Sequence, residues 1–329
     1  MRNLITDVPG VNIGHAEDAR LGSGATAVVF DEPVVGSIDL RGGGPGTRET
    51  ALLDPAQTVE GIDAIALAGG SAFGLDAASG VQAWLKEKGR GFAVRTARVP
   101  IVPAAILFDL LSGGDKNWGR FPPYRELGYA AAAAAGSDFA LGSVGAGTGA
   151  TTVNCKGGIG SASEQTSDGH IIGAIAVVNA AGSVLVDRGP WFWAAPFERN
   201  SEFGGRGLPS PFPAAAFEPL TKGSARESTT LVVVATDAIL TKAQAKRLAV
   251  MAQSGLSRAI YPVHSPLDGD VVFAVSTARR PLADAYLALT RLGTIAANVV
   301  ARAVARGVFE ATALPFSRAL PSWKDQFGR

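Results

Sequence analysis

The chain has little net charge and almost no cysteine, and both shortages limit what it binds and where it works. Its 329 residues carry a formal charge of +1, and lysine and arginine are not concentrated in any run. It lacks the electrostatic surface that attracts nucleic acids or anionic membranes, so we expect a small or moderately polar ligand. The single cysteine, Cys155, excludes an intrachain disulfide and fits a reducing compartment. A lone cysteine is more often a small buried hydrophobe than a nucleophile.

Long hydrophobic runs are also missing. No stretch reaches about 18 uncharged apolar residues, because the best candidates contain Asn179 or the pair Arg302 and Arg306. Residues 1–7 lack the apolar segment of a secretory signal, and Pro9 follows closely. We therefore expect a cytoplasmic protein with no membrane partner. Hydrophobic residues make up 47% of the chain and charged residues 18%, which predicts a soluble globule with a well-buried core.

The common sequence patterns of zinc and serine-hydrolase sites are absent as well. His15, His170 and His264 are far apart and form no H-x-x-H or H-E-x-x-H group, so a zinc site lacks its usual ligands. No G-x-S-x-G pattern occurs, which removes the commonest mark of a serine hydrolase. We expect no metal and no organic cofactor, and these absences favour a nucleophile that a free amine activates.

Glycine is abundant, with 41 residues, but its segments lack the spacing of known ligand-binding loops. Residues 69–74 have the first spacing of a phosphate-binding loop, yet Leu75 and Asp76 stand where lysine and serine or threonine are required. Residues 145–149 do not match G-x-G-x-x-G, which leaves a dinucleotide site as a weak alternative. We expect these glycines to permit positive φ and close backbone approach.

Apolar runs and helical periodicity predict a mixed α/β protein. Strands are predicted at 25–30, 34–40, 62–67, 171–178, 183–187, 229–236 and 271–276, and helices at 71–88, 241–257 and 282–306. Residues 179–182 are expected to form a tight reversal between two of these strands. Because hairpins and crossovers are mixed, the pattern favours antiparallel sheets covered by helices over a doubly wound parallel sheet. The Gly- and Pro-rich residues 200–227 predict a mobile surface loop.

Thr229 and Thr230 stand at the start of the apolar run 231–236, directly after that loop. A threonine hydroxyl is a poor nucleophile without a neighbouring base, and a cut before the threonine turns its own α-amine into that base. This amine has a pKa of about 7.7 to 8.0, so much of it is neutral close to physiological pH. The bond between Ser228 and Thr229 is therefore a candidate self-cleavage site. Threonine pairs also open ordinary strands, so the pattern alone leaves both interpretations open.

Five longer motifs follow one another along nearly the whole chain. They are residues 41–50 (RGGGPGTRET), 67–76 (LAGGSAFGLD), 156–160 (KGGIG), 229–237 (TTLVVVATD) and 262–270 (PVHSPLDGD). In this order they resemble the L-aminopeptidase/D-esterase family, which includes β-peptidyl aminopeptidases and nylon-oligomer hydrolases. The resemblance implies an α/β/β/α sandwich of mixed, largely antiparallel sheets, of the type found in ornithine acetyltransferases and similar to other N-terminal nucleophile hydrolases.

The resemblance also implies how the chain is processed and assembled. Residues 1–329 would form a single domain that cuts itself into a large chain, 1–228, and a small chain, 229–329. The cleaved pairs would then form a homo-oligomer, a tetramer or larger. The expected partner is a small peptide or oligoamide substrate.

Individual residues receive roles from the same resemblance. It implies that Thr229 is the nucleophile and its freed amine the base, and that Asn179 helps to hold the oxyanion, which suits an amide donor. Lys156 corresponds to a cation that lowers the proton affinity of the amine. Asp268 and Asp270 correspond to paired acidic positions that orient the amine or bind a cationic substrate end. Since residues i and i+2 of an extended segment share a face, both carboxylates are expected at one site.

Each of these residues also has a plainer interpretation. Without the resemblance, Asn179 would be read as a turn residue and Lys156 as a solvated surface lysine. Asp268 would be read with Gly269 as an ordinary Asp-Gly turn.

Two positions depart from the family pattern. Phe108 stands where relatives carry a tyrosine whose hydroxyl contributes to the site, so that hydrogen bond is missing and Phe108 is a candidate pocket residue. Ser228 precedes the scissile bond where nylon hydrolases have asparagine. The resemblance implies a self-processing amide hydrolase or aminopeptidase that forms an acyl-enzyme on Thr229. The alternatives are an acyltransferase of the ornithine acetyltransferase type and an unprocessed, non-catalytic ligand-binding relative.

Overall fold

A computed structural model describes residues 1–222, 228–317 and 319–328. The strands in this part of the chain are β1 (Val11–Asp18), β2 (Ser23–Leu40), β3 (Gly46–Arg48), β4 (Ile62–Ala68), β5 (Phe92–Val94), β6 (Ala97–Val99), β7 (Ala104–Ile106), β8 (Ile159–Gln165), β9 (Ile171–Asn179), β10 (Thr229–Ala238) and β11 (Val271–Arg280). The α-helices are α1 (Ala77–Glu87), α2 (Tyr124–Ala133), α3 (Lys242–Ala259), α4 (Leu287–Phe309) and α5 (Trp323–Phe327).

The long strand β2 joins two sheets. Its first half pairs with β1 and β4, and its second half pairs with β11. The strand order is β3-β7-β4-β2-β11-β10-β9-β8, with β1 also on β2, and β5 and β6 form a separate hairpin. The pairs β4–β7 and β10–β11 are parallel, and the other described pairs are antiparallel. The sequence predicted separate strands at 25–30 and 34–40, but β2 is continuous. The exposed residues Asp31, Glu32 and Pro33 only shift the pairing register with β4 between Val29 and Val34.

Alternating side chains divide the protein into four layers. Along β10, Leu231 and Val233 pack into the core between the two sheets, whereas Val232 and Val234 pack against α3 and α4. On the other sheet, Ala27 of β2 faces the layer that contains residues of α1 and α2. Because both faces of β10 are covered, its ten residues are all buried, and the run from Leu231 to Ala235 is entirely apolar. The predicted α/β/β/α sandwich of mixed, largely antiparallel sheets is confirmed.

Capping residues explain where the two helices behind β10 begin. Thr241 accepts a hydrogen bond from the Gln244 N–H and forms a capping box, so α3 begins at Lys242, close to the prediction. Helix α4 was predicted from 282 but begins at Leu287. The Asp284 carboxylate accepts from the N–H groups of Tyr286 and Leu287, both at 2.8 Å, and these bonds hold the chain before the helix.

Helix α4 is long and apolar enough to cross a membrane by length and composition, but most of that stretch is buried inside the protein. It packs on α3, β8 and β9 as one layer of the core. Both Arg302 and Arg306 form ion pairs with Glu202 there, at 2.5 Å and 3.7 Å, and Arg302 is buried. The apolar character of α4 is therefore that of a core helix.

The predicted hairpin between 171–178 and 183–187 is wrong. Strand β9 pairs with β8 on one side and β10 on the other, so no edge remains for residues 183–187. Ser183 instead exchanges two backbone hydrogen bonds with Tyr261, each 2.9 Å long. The Ala181 N–H points to the Asp268 carboxylate at 2.9 Å. The segment after Asn179 is thus drawn towards residues 261–268 instead of folding back on β9.

The predicted loop 200–227 lies only partly within the described residues, and 223–227 fall outside them. In the described part, Phe203 is buried and its ring lies 5.3 Å from that of Phe192. A short 3-10 helix follows at Ala214–Phe217. Ser228 is the first described residue after 223–227, and it lies directly before β10.

Candidate functional site

Thr229 is the first residue of β10 and is 4% exposed. Its Oγ1 donates a hydrogen bond to the carbonyl oxygen of Ser228 at 2.5 Å. The Gly269 N–H donates to the same oxygen at 3.0 Å, because Ser228 and Asp268 form a parallel bridge that extends the β10–β11 pairing. A β-carbon on Gly269 would lie 2.7 Å from Thr229 Oγ1, so this approach requires glycine. The carbonyl before Thr229 is thus polarised by an N–H and lies beside a hydroxyl.

Asn179 lies opposite Thr229 in the β9–β10 register and is fully buried. Its Nδ2 donates to the carbonyl oxygen of Phe108 at 3.1 Å. Its Oδ1 accepts from the Thr151 N–H at 3.0 Å and from Lys222 Nζ at 3.1 Å. A carbonyl at one end and two donors at the other fix the orientation of the amide. Asn179 is therefore the buried end of a strand and not the turn residue that the plainer interpretation assumed.

Lys156 is also buried, which excludes a solvated surface lysine. Its Nζ donates to the carbonyl oxygens of Gly147 at 3.0 Å, Ala150 at 2.8 Å and Gly157 at 2.7 Å. Three carbonyl acceptors match the three protons of an ammonium group. Burial lowers the pKa of Lys156 to about 7, an effect that the Asp109 carboxylate opposes and Lys222 reinforces. The cation is thus held in place but loses its proton more easily than a solvated lysine.

The two aspartates bind backbone groups on either side of Thr229. Asp270 Oδ1 accepts from the Thr230 N–H at 2.9 Å, and Asp268 Oδ1 accepts from the Ala181 N–H at 2.9 Å. Both side chains are 1% exposed. Burial, followed by the negative charge of Asp270, raises the pKa of Asp268 to about 6. The structure therefore brings the two carboxylates together, as the i, i+2 spacing predicts.

His264 is a neighbour that the sequence analysis assigned to no site. Its Nδ1 lies 2.9 Å from Asp270 Oδ2, and its backbone N–H donates to the same oxygen at 3.1 Å. The position of His264 within residues 262–270 was the only sequence signal for this pairing. His15 and His170 lie elsewhere, beside Thr26 and Asp237. In the part of the chain that the structure describes, no three His, Cys, Asp or Glu side chains are grouped as a metal site.

Sequence patterns also gave no role to Lys222 or Asp109. Lys222 Nζ contacts the Asn179 side chain, but no sequence pattern marks it. Asp109 is fully buried directly after Phe108 and accepts hydrogen bonds from Ser23 Oγ at 2.6 Å and the Gly70 N–H at 2.8 Å. An aspartate in an otherwise apolar run was the available signal.

A pocket of about 180 Å³ lies beside Lys156. Its described lining consists of cationic, polar and apolar side chains: Phe108, Leu111, Ser112, Thr151, Lys156, Lys222, Leu314, Ala319 and Leu320. The Phe108 ring forms part of this wall without a hydroxyl, while its backbone carbonyl holds Asn179. Phe108 therefore lines this pocket and is also a partner of the buried amide.

The four-layer fold is similar to that of the L-aminopeptidase D-Ala-esterase/amidase from Ochrobactrum anthropi, a variant of the N-terminal nucleophile hydrolase fold. The TM-score is 0.71 at 22% identity, over 99% of this chain and 94% of that chain. The architecture is therefore of the N-terminal nucleophile hydrolase type.

Residues 3–319 match Peptidase family S58, and the chain belongs to this family. It is 44% identical over 346 residues to an uncharacterized aminopeptidase of Mycobacterium tuberculosis (strain ATCC 25618 / H37Rv), covering 99% of this chain and 98% of the relative. It is 28% identical over 282 residues to the 6-aminohexanoate-oligomer endohydrolase of Kocuria sp. (strain KY2), covering 82% of this chain and 74% of that enzyme. The resemblance inferred from the sequence is confirmed, and the chain is a peptidase or amidohydrolase.

Proposed function

We propose that the protein is a self-processing amide hydrolase whose nucleophile is Thr229. The observation that carries this proposal is the convergence of Thr229 Oγ1 and the Gly269 N–H on the Ser228 carbonyl oxygen, at 2.5 and 3.0 Å. The hydroxyl is adjacent to the bond that it must attack. The N–H is a preorganised donor to the oxygen on which negative charge would develop.

Self-cleavage would proceed through an ester. Thr229 Oγ1 attacks the Ser228 carbonyl carbon, the bond from that carbon to the Thr229 nitrogen breaks, and the nitrogen takes up the hydroxyl proton to become a free amine. Water then hydrolyses the ester and releases Ser228 with a carboxylate. The products are chains 1–228 and 229–329, which together form the active unit.

In turnover, the freed Thr229 amine accepts the proton of its own hydroxyl while the oxygen attacks a substrate amide. The protonated amine then supplies that proton to the leaving amine, and water resolves the acyl-enzyme. The buried Asn179 amide is suited to stabilise the oxyanion. The ammonium of Lys156 favours the neutral form of the Thr229 amine. Asp268 and Asp270 would fix the backbone around the new amino terminus through Ala181 and Thr230.

We further propose a small peptide or an oligoamide as the substrate. Relatives named as aminopeptidases and as a 6-aminohexanoate-oligomer endohydrolase support this class. The cleaved pairs would assemble as a homo-oligomer in the cytoplasm.

The decisive test is the intact mass of purified protein under denaturing conditions, with amino-terminal sequencing of every fragment. We expect two fragments, one of which begins at Thr229, and hydrolysis of 6-aminohexanoate oligomers or short peptides by the cut protein. Thr229→Ala should remain whole and inactive, whereas Thr229→Ser, which keeps a hydroxyl, should still cut itself. A cut and active Thr229→Ala variant would refute the assignment. A stable uncut wild-type chain would favour a non-catalytic binding protein.

A further inference from the structure

Asp109 is a fully buried carboxyl group that none of the roles above uses. Ser23 Oγ donates to its Oδ2 at 2.6 Å, and the Gly70 N–H donates to its Oδ1 at 2.8 Å. The Tyr124 hydroxyl in turn donates to Ser23 Oγ at 3.0 Å. A chain of donors therefore ends on Asp109, as expected for a carboxylate acceptor inside a protein.

Two glycine segments that had no assigned purpose make room for this carboxylate. A β-carbon on Gly69 would lie 2.1 Å from Asp109 Oδ2, and one on Gly149 would lie 2.5 Å from the same atom. Gly70 has a φ of +80°, which favours glycine and accompanies the N–H bond to Oδ1. Gly69, Gly70 and Gly149 thus pack closely around one buried carboxyl group.

The segments that pack on Asp109 also hold the candidate catalytic groups. Gly149 lies between Gly147 and Ala150, whose carbonyl oxygens bind Lys156 Nζ. The next residue, Thr151, donates its N–H to Asn179 Oδ1. On the other side, Phe108, the chain neighbour of Asp109, accepts a hydrogen bond from Asn179 Nδ2. Both ends of the Asn179 amide are therefore held by segments that pack on Asp109.

We propose, on the basis of the proposed function, that Asp109 is a positioning residue for acyl transfer at Thr229. It holds the segments that orient the Asn179 amide and bind the Lys156 ammonium. It contacts neither the substrate nor the nucleophile.

The charge of Asp109 gives the proposed role an effect on pH dependence that packing alone would not produce. Burial raises the pKa of Asp109, while the hydrogen bonds from Ser23 and Gly70 and the charges of Lys116 and Lys156 lower it. The Tyr124 hydroxyl also faces this carboxyl group. Lys156 faces Asp109 and Lys222, and the Asp109 charge partly offsets the effect of burial on the pKa of Lys156. Wherever Asp109 is ionised, asparagine at 109 removes this offset and lowers the pKa of Lys156 further. Activity that requires the Lys156 ammonium would then be lost at lower pH.

The test compares wild type with Asp109→Asn, which keeps the shape but removes the charge. Rates are measured over a pH series and normalised to the amount of protein with a free Thr229 amino terminus. We expect kcat to fall by about 10- to 100-fold with little change in KM, since misplacing a catalytic group costs on this order. We also expect the alkaline limb of the pH–rate profile to move to lower pH.

Asp63→Asn is the matched control. Asp63 is 2% exposed, burial raises its pKa, and it accepts the Ile101 N–H at 2.9 Å, but its described partners lie outside the site. It should keep the wild-type kcat and show no shift in the pH profile. If folded Asp109→Asn has the kcat and alkaline limb of this control, the proposal is wrong.

Ser23→Ala keeps the inference testable if Asp109→Asn does not fold. This variant removes one donor to Asp109 but keeps the carboxyl group, so kcat should fall less than in Asp109→Asn. An unchanged kcat in folded Ser23→Ala would then overturn the proposal. Failure of the proposed function itself is distinguishable, because wild-type protein would then remain uncut or would hydrolyse no amide.

Discussion

Thr229 and Asn179 lie directly opposite each other in the antiparallel pairing of β10 and β9. This register fixes the distance between the candidate nucleophile and the amide through a backbone ladder instead of a flexible loop. The Ser228 carbonyl, by contrast, accepts from Gly269 on the opposite neighbour, the β11 side. In the proposed mechanism, the two sides of β10 would therefore offer different oxyanion donors, Gly269 for the chain's own peptide bond and Asn179 for a substrate.

Asn179→Ala should separate these two reactions. Self-cleavage is expected to persist, because the Gly269 N–H remains in place beside the Ser228 carbonyl. Turnover is expected to fall by about 100- to 1,000-fold in kcat, the usual loss for a missing oxyanion donor. Mass spectrometry of the purified variant and steady-state kinetics provide the two readouts. An uncut variant, or a cut variant with normal kcat, would contradict the division of roles.

Lys156→Met should change how stability depends on pH. The pKa of Lys156 is lowered to about 7 in the folded protein, whereas an unfolded lysine titrates at about 10.4. Between these values the unfolded state binds more protons, so the free energy of unfolding gains a contribution that rises with pH. The wild type minus Lys156→Met difference should therefore be lowest below the folded pKa and increase towards alkaline pH.

Denaturant unfolding at a series of pH values measures this difference. Lys242→Met is the matched control for lost contacts, because Lys242 Nζ also donates to three carbonyl oxygens, those of Leu52, Gln57 and Val59. It should leave turnover intact, whereas Lys156→Met should abolish most of it. Parallel stability curves for wild type and Lys156→Met would show that Lys156 is not perturbed by burial.

Asp268→Asn and Asp270→Asn should have opposite effects on stability. Burial and Asp270 raise the pKa of Asp268 to about 6, so the folded protein loses stability as pH rises from the unfolded pKa of about 3.9 towards that value. Asparagine at 268 removes this penalty and can still bind Ala181 and Ser265, so Tm should increase at neutral pH. Asp270 accepts three hydrogen bonds, from Thr230 and twice from His264, so its replacement should lower Tm.

Thermal unfolding of both variants at pH 5 and pH 7 checks the assignment. The increase in Tm for Asp268→Asn should be smaller at pH 5, where the wild-type carboxyl group of Asp268 is protonated. Both variants are expected to lose hydrolytic activity. An equal destabilisation by the two substitutions would mean that Asp268 carries no electrostatic penalty.

Phe108→Tyr should increase kcat. The Phe108 ring lines the pocket with Thr151 and Lys156, so a hydroxyl on it adds a donor where relatives of the family are expected to have one. One additional hydrogen bond contributes about 1 kcal/mol, or roughly a fivefold change in rate. Phe108→Leu, which adds no donor, serves as the control and should stay near wild type. A tyrosine variant no faster than the leucine variant would remove the hydroxyl from the mechanism.

Local patterns predicted the fold class and several of the central strands and helices, but not β1 or β8. The apolar run after Thr229 and the periodicity after Thr241 gave β10 and α3 nearly to the residue, because each element is buried along a continuous face. The predicted hairpin after Asn179 failed because long-range partners, Tyr261 and Asp268, compete for the backbone groups that a turn would use. Such competition is not visible in a local window of sequence.

The site was less accessible to sequence reasoning. Thr229, Asn179 and Lys156 were selected through the family resemblance, but the burial that lowers the pKa of Lys156 depends on the fold. Asp109 had no motif of its own, and its purpose becomes clear only where Gly69 and Gly149 close around it. Spacing identified the glycines, while three-dimensional packing was needed to identify what they accommodate.

The central position of β10 has a consequence for how a cut protein would unfold. Residues 229–329 supply β10, β11, α3 and α4, whereas β2, β8 and β9 come from the other side of the Ser228 bond. Each piece therefore lacks half of the core on which it packs. Before the cut, folding is a first-order process; afterwards, refolding would require two polypeptides to meet, and the midpoint of unfolding would depend on protein concentration. A chain cut before Thr229 would remain one globule in its native state but behave as a heterodimer whenever it unfolds.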